Sequence, residues 1–259
     1  MLDLTCGYIC TFCANPADSD EHVIPQWILK KFKLPYPMVH QIGDGPKEIK
    51  DTPELKLPCA CETCNNCWMS GLEKTCGKFM GPMIGDFALS LDRQYQQNLS
   101  EWAVKTAMCL DTVHDFHFFT EEERHGFKKT RRPPKNSQIW AAHFRGCALD
   151  LNGVDFTLTD PDGKLLVRAQ VFTILLGHLI LQALFWRNEP HVADKGVRFK
   201  PNRGDWANRT VQTWPVSKKP VTWPPPKSMS TVADENHYAN LRHRFKNSKG
   251  HYLFDIKTK

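Results

Sequence analysis

Glu21 and His22 stand side by side, eight and nine residues after Cys13. A carboxylate can hold a divalent cation and an imidazole can take a proton from water, and phosphodiester hydrolysis needs both. Alone, such a pair is usually a helix cap or a surface pair. Its setting is what distinguishes it, because it lies between two cysteine pairs, Cys10-x2-Cys13 and Cys61-x2-Cys64. Two C-x2-C knuckles supply four thiolates, and four thiolates make a tetrahedral zinc site. A closed shell has no open position, so this zinc is expected to be structural. Joining the knuckles would also bring Glu21 and His22 toward Asn65 and Asn66, which follow Cys64 directly. Side-chain oxygens of Glu and Asn suit a hard cation such as Mg²⁺ or Mn²⁺.

Ten cysteines are present, and eight of them precede residue 77. Cys6, Cys59 and Cys67 flank the knuckles, so pairings of Cys6 with Cys10 or Cys64 with Cys67 are open alternatives. Cys109 and Cys147 read as plain core thiols. Asp111, His114 and His117 have the spacing of helical metal ligands, but "LDTVHDFHFF" is an aromatic setting that reads first as core.

"CTFC…EHVIPQW…CETCNN" resembles the zinc-knuckle branch of the HNH endonucleases. It is most similar to a microbial subgroup with the motifs EHVIPxW and CxxCNNxWMSxLE, and this chain reads CETCNNCWMSGLE at 61–73. The resemblance covers roughly residues 8–75, with a looser likeness at "WAVKTAM" and at the "GHL" of 177–179. It implies a ββα-metal, treble-clef-like core. His22 would be the general base, and Cys10, Cys13, Cys61 and Cys64 the zinc ligands. Glu21 and Asn65, or Asn66 in its place, would hold the catalytic Mg²⁺ or Mn²⁺. The substrate implied is DNA, with RNA the other polyanion that fits. One such site cuts one strand, so double-strand cleavage would take a homodimer or sequential nicking. The competing class is a non-catalytic zinc module that binds nucleic acid.

The elements that must position these residues fall into three segments. Residues 1–80 form the cysteine-rich module. Within it, "QWILKKF" reads as a short helix, and 35–58, with five prolines and two glycines, as an insertion or extended loop. The segment from Asn65 to Met80 reads as a helix with Trp68, Leu72 and Phe79 toward a core. Residues 81–186 are expected to hold helices and then a hairpin. In "SEWAVKTAMCLDTV" apolar residues recur at helical spacing, with Ser100 a candidate N-cap. "TEEER" at 120–124 opens another helix with Thr120 as cap, and "RRPP" at 131–134 ends it. "DPDG" at 160–163 is a turn between two β-rich runs, with a helix over 173–186 as the competitor for the second run. Residues 187–259 form a Pro/Trp-rich stretch, an extended arm or a surface wrap. The fold class expected is α+β.

Charge separates the last segment from the rest. The chain carries 34 Lys+Arg and 28 Asp+Glu; 15 and 6 of these fall in 187–259, leaving that stretch at +9 and the first 186 residues at −3. A basic stretch on a near-neutral body fits a polyanion partner, and a solvated surface is the plainer reading. Trp206, Trp214 and Trp223 could stack on bases, but packing is the commoner role. The start "MLDLTCGYIC" has no basic region followed by an apolar run, so no secretory leader is expected. The apolar run 171–186 is interrupted by Gly177, His178 and Gln182 and falls short of the roughly 20 residues a spanning helix needs. A cytoplasmic protein of microbial or phage origin, with no membrane partner, is the expectation.

Overall fold

Beyond the first knuckle the chain enters a short strand, β1 (Ser19–His22), and then a short helix, α1 (Gln26–Lys31), which begins at Pro25. The computed structural model describes residues 8–32, 38–40, 48–50, 54–113, 117–192, 197–198, 208–230 and 255–256. Strands β2 (Met38–His40) and β3 (Glu48–Lys50) pair antiparallel inside the proline-rich insertion. β4 (Lys56–Ala60) then returns beside β1, with Glu21 opposite Leu57 and His22 opposite Lys56. The second knuckle follows at once. Cys64–Met69 form a wide helical turn that runs straight into α2 (Ser70–Ile84). Leu72 and Phe79 are buried there and Trp68 is half-buried, as their spacing predicts.

β5 (Leu89–Leu91) leads to α3 (Arg93–Leu110). The cap of α3 is not Ser100. Asp92 accepts from the Tyr95 backbone N–H, so the helix starts before the apolar periodicity does. Ser100 lies mid-helix and buried, 2.9 Å from the Thr213 hydroxyl. Every residue from Asn98 to Leu110 is buried, which makes α3 the central rod of the fold. α4 (Glu121–Thr130) opens with a reciprocal capping box. Thr120 Oγ1 accepts from the Glu123 N–H, while Glu123 accepts from the Thr120 N–H. It ends at Arg131, whose left-handed backbone (φ 57°) turns the chain.

Two long strands follow, β6 (Ser137–Thr159) and β7 (Leu165–Asn188), joined through the turn at Asp160–Gly163. The run 173–186 is therefore strand and not helix. Its β-branched and aromatic residues find a continuous antiparallel partner in β6, with Ile174 opposite Leu151 and Leu181 opposite Ala141. The register shifts next to the turn, between Leu158 and Thr159, and more widely between His143 opposite Leu179 and Ala148 opposite Gly177, so that residues 144–147 bulge out across from His178. β8 (Val197–Arg198) comes next, followed by β9 (Thr210–Trp214), which adds to the free edge of β6. β10 (Val221–Trp223) pairs with β5, and β11 (Asp255–Ile256) with β8. The architecture is mixed α+β, with small antiparallel sheets and two helices packed on the three-stranded sheet β7-β6-β9.

The two main core clusters draw on all three sequence segments. One joins Cys10 and Phe12 to Ala103, Phe127 and Phe185, and the other joins Ile28 and Phe79 to Trp102, Leu181 and Trp223. The 208–230 part of the Pro/Trp-rich stretch is thus a wrap that contributes to the core. Trp223 is fully buried and Trp214 packs against the first cluster, which agrees with packing as their role. Trp206 and Cys6 lie outside the described residues. No described helix is long and apolar enough to cross a membrane.

Gly177 is a position that only glycine fits. Its φ is +61°, and a Cβ there would lie 2.7 Å from the Ile84 carbonyl oxygen and 2.9 Å from Ile84 Cγ2. Left-handed backbone costs an L-residue about 1–2 kcal/mol and overpacking about 1–3 kcal/mol. Gly177→Ala is therefore expected to destabilise the protein by about 2–5 kcal/mol, read as a lowered urea midpoint. An unchanged midpoint would mean that α2 and β7 do not meet here.

Candidate metal centre

Tight local geometry aims each knuckle. In the first, the Cys13 N–H donates to the Cys10 carbonyl at 3.2 Å, and the Thr11 N–H donates to the Cys59 carbonyl of β4 at 2.8 Å. In the second, the Cys64 N–H points at the Cys61 sulfur at 3.4 Å. Cys13 Sγ lies 3.6 Å from Cys61 Sγ and 3.7 Å from Cys64 Sγ, and all four sulfurs, Cys10 included, lie within 4.8 Å of one another. Zinc–sulfur bonds of about 2.3 Å in a tetrahedron put sulfurs about 3.8 Å apart. Cys10, Cys13, Cys61 and Cys64 can therefore hold a metal ion such as zinc.

The surroundings suit a thiolate cluster. Burial pushes the Cys10 thiol up to about 12, against hydrogen bonds from the Cys61 and Phe12 backbone. At Cys13 burial acts in the same direction, but the Asn15 backbone and the neighbouring thiols overcome it and bring the group down to about 7. Crowded, buried thiols resist ionising together; a dication removes that resistance. Burial raises the Cys64 thiol, and Trp68 and Lys128 beside it act against that rise. Arg131 stacks 3.9 Å from the Trp68 ring centroid, and Trp68 stands edge-on to Phe12 at 5.0 Å. α4 thus covers the knuckles with an aromatic layer and two cations. Of the flanking cysteines, Cys59 is buried beside Cys109 and Cys67 is exposed; Cys147 is not a core thiol but exposed, because it lies in the β6 bulge.

Glu21 and His22 separate on the two faces of β1, as alternation requires. Glu21 is 2% exposed and faces the core; His22 is half-buried, and Asp20 on the same face is exposed. The Glu21 carboxylate accepts from Lys105 Nζ at 2.5 Å, and Lys105 also donates to Glu73 at 3.1 Å. Asn65 is turned elsewhere, donating to Ser19 Oγ at 2.8 Å and to the Asp20 carbonyl at 3.3 Å. Asn66 is exposed, its amide 3.5 Å from Glu62. The fold brings Asn65 to β1, but to its beginning, while the Glu21 carboxylate is held by Lys105. His22 Nε2 lies 3.0 Å from Gln26 Nε2, and Gln26 Oε1 accepts from Lys30 at 3.5 Å. The His22 ring is thus held by Gln26 across one turn of chain, on the side of β1 away from Lys105.

Lys105 and Glu73 were not singled out from sequence. A lone lysine among apolar residues in "WAVKTAM" was the available signal, since a fully buried lysine is almost always paired. Burial would lower the pKa of Lys105, but Glu21 and then Glu73 outweigh it and hold it above the ordinary lysine value. Burial raises Glu73, against the pull of Lys105. The ion trio ties β1, α2 and α3 together. Lys105→Met is expected to cost about 3–5 kcal/mol, because it leaves carboxylates buried without their partner. The check is denaturant unfolding; a change below 1 kcal/mol, roughly the value of an exposed pair, would show that the trio is solvated.

Asp111 and His117 do not form a helical ligand pair. The Asp111 carboxylate accepts from the Phe118 and Phe119 N–H groups and from Arg124, while His117 Nδ1 bonds the Asp111 carbonyl. His114 lies outside the described residues. No family model, curated protein or solved structure matches this chain.

Proposed function

We propose that this chain is a metal-dependent endonuclease of the HNH type, hydrolysing phosphodiester bonds in DNA with His22 as general base. The observation that carries the reading is an order of elements. A thiol knuckle leads into β1, which ends at Glu21–His22; β4 pairs with β1; the second knuckle then opens directly into a helix. That order supports a ββα-metal core of the kind the sequence resemblance implies. His22 is a half-exposed imidazole at the end of the strand, open to the water that a general base must deprotonate. The four-thiolate zinc has no open position, so water activation falls to His22 and to a second cation. We assign Mg²⁺ or Mn²⁺ to Glu21 with Asn65 or Asn66. Since Glu21 Oε1 is taken by Lys105, the cation belongs on the other carboxylate oxygen. The basic stretch 187–259 supports a polyanion substrate, with the steep salt dependence that phosphate contacts bring.

A second reading, a zinc module that binds nucleic acid without cutting it, is favoured by the sequestered Glu21 carboxylate. Incubation of supercoiled plasmid with the protein and Mg²⁺ or Mn²⁺, beside a His22→Ala control, separates the two. Relaxed circles that appear only with wild-type protein and metal support the nuclease. Retarded but uncut plasmid at every metal supports the binding module.

A further inference from the structure

A second cluster of metal-ligating side chains lies away from the thiols, where β6 bulges. Asp86 follows the end of α2, His143 is the last paired residue of β6 before the bulge, and His178 of β7 stands across from it. One ligand atom from each of the three lies within 4.8 Å of the others. We propose that Asp86, His143 and His178 form a second metal site, taking a divalent first-row transition ion such as Zn²⁺ through two imidazoles and a carboxylate.

The hydrogen bonds behind the rings support this assignment. His178 Nδ1 lies 2.9 Å from the Phe144 carbonyl, which belongs to the bulge. A carbonyl only accepts, so Nδ1 carries the proton and Nε2 keeps its lone pair. His143 Nδ1 lies 2.7 Å from Ser228 Oγ, and its Nε2 lies 2.7 Å from Asp86 Oδ1. A hydroxyl can give or take a hydrogen bond. A neutral His143 can therefore move its proton from Nε2 to Nδ1 when a cation arrives, with Ser228 turning from donor to acceptor. An imidazolium would instead release one proton to solvent. Histidines that bind metal generally donate their other N–H to an oxygen behind them, and both rings here have that oxygen.

The backbone is shaped around this point from three sides. Asp86 holds a left-handed conformation, φ 65°. Gly177, beside His178, is also left-handed at φ 61° and packs against Ile84, just before Asp86. Ser228 is laid in by the C-terminal wrap, where the Met229 N–H donates to the His143 carbonyl and the Arg145 N–H donates to the Met229 carbonyl. Ser228, His143 and Asp86 alone would resemble a nucleophile relay, but a relay has no use for the second imidazole. Two imidazoles and a carboxylate suit zinc or a neighbouring first-row ion. His143 is buried, whereas the Asp86 side chain is 51% exposed, so water completes the shell.

The test uses the full chain with its thiol site loaded with zinc, then dialysed to equilibrium against Co²⁺. A second equivalent should bind, with ligand-field absorption but no sulfur-to-cobalt charge transfer. Asp86→Asn keeps the size and tolerates the left-handed backbone; His178→Gln is the independent variant. Each should weaken the second equivalent by more than the roughly 10–100-fold that loss of an outer partner costs, and Ser228→Ala by about that amount. The thiol-bound equivalent should stay in all three. The proposal is overturned by any one of three results. Wild type could bind only the thiol equivalent; the second equivalent could show sulfur charge transfer; or Asp86→Asn and His178→Gln could bind like wild type.

Discussion

Removing the metal from Cys10, Cys13, Cys61 and Cys64 is expected to unfold the first 80 residues and to loosen α3 and α4 with them. Structural zinc contributes about 10–16 kcal/mol to small folded modules, and a whole domain is stable by only about 5–15 kcal/mol. The knuckles sit inside the first core cluster, where Cys10, Phe12, Cys61 and Cys64 share contacts with Ala103 and Phe127. Damage should therefore spread along the Phe12–Trp68–Phe127 layer instead of stopping at the metal. Cys10→Ser removes one ligand and should act like a strong chelator. Metal analysis should find one zinc per chain that survives dialysis against a weak chelator, and none in the variant. Circular dichroism and tryptophan emission report the unfolding. A stable Cys10→Ser protein with full zinc would show that another cysteine, Cys59 or Cys67, completes the shell.

His22→Ala should abolish plasmid nicking while leaving zinc content and melting temperature close to wild type. Loss of a general base costs roughly 10²–10⁴-fold in rate. His22 is half-exposed and its side chain bonds the exposed Gln26, so truncation leaves no buried polar group unpaired. Glu21→Gln should also lose activity, but by a different route. It weakens the cation site, so excess Mn²⁺ should restore part of the rate. It also removes a charge from the buried trio with Lys105 and Glu73, so its melting temperature should fall. Excess metal should restore nothing in His22→Ala. Nicking by His22→Ala at the wild-type rate would end the proposed mechanism.

Much of the local structure was legible because its causes are local. C-x2-C closes on itself, so the four thiols could be named from spacing alone. Thr120 and Glu123 satisfy each other within one turn, which is why "TEEER" marks a helix start without help from the rest of the chain. "DPDG" likewise makes its own turn. The ambiguity at 173–186 was real at that level, because an apolar run is compatible with helix or strand. Its partner β6 decided it, through pairings with residues far upstream.

What only tertiary structure decided concerns side chains whose partners lie far along the chain. Adjacent residues on a strand face opposite ways, so one of Glu21 and His22 had to turn toward the core and the other away from it. Which of them went inward depended on Lys105, 84 residues on. Ser100 looked like a cap because the residues before it lack apolar periodicity; Asp92 and the buried contact with Thr213 placed the helix start two turns earlier. Asp86 and His143 are 57 residues apart, and nothing in either neighbourhood announces the other. They meet because β6 bulges, Gly177 admits Ile84, and the C-terminal wrap brings Ser228 alongside. Spacing specifies chemistry when one turn holds the ligands. When three elements must each contribute one side chain, packing does.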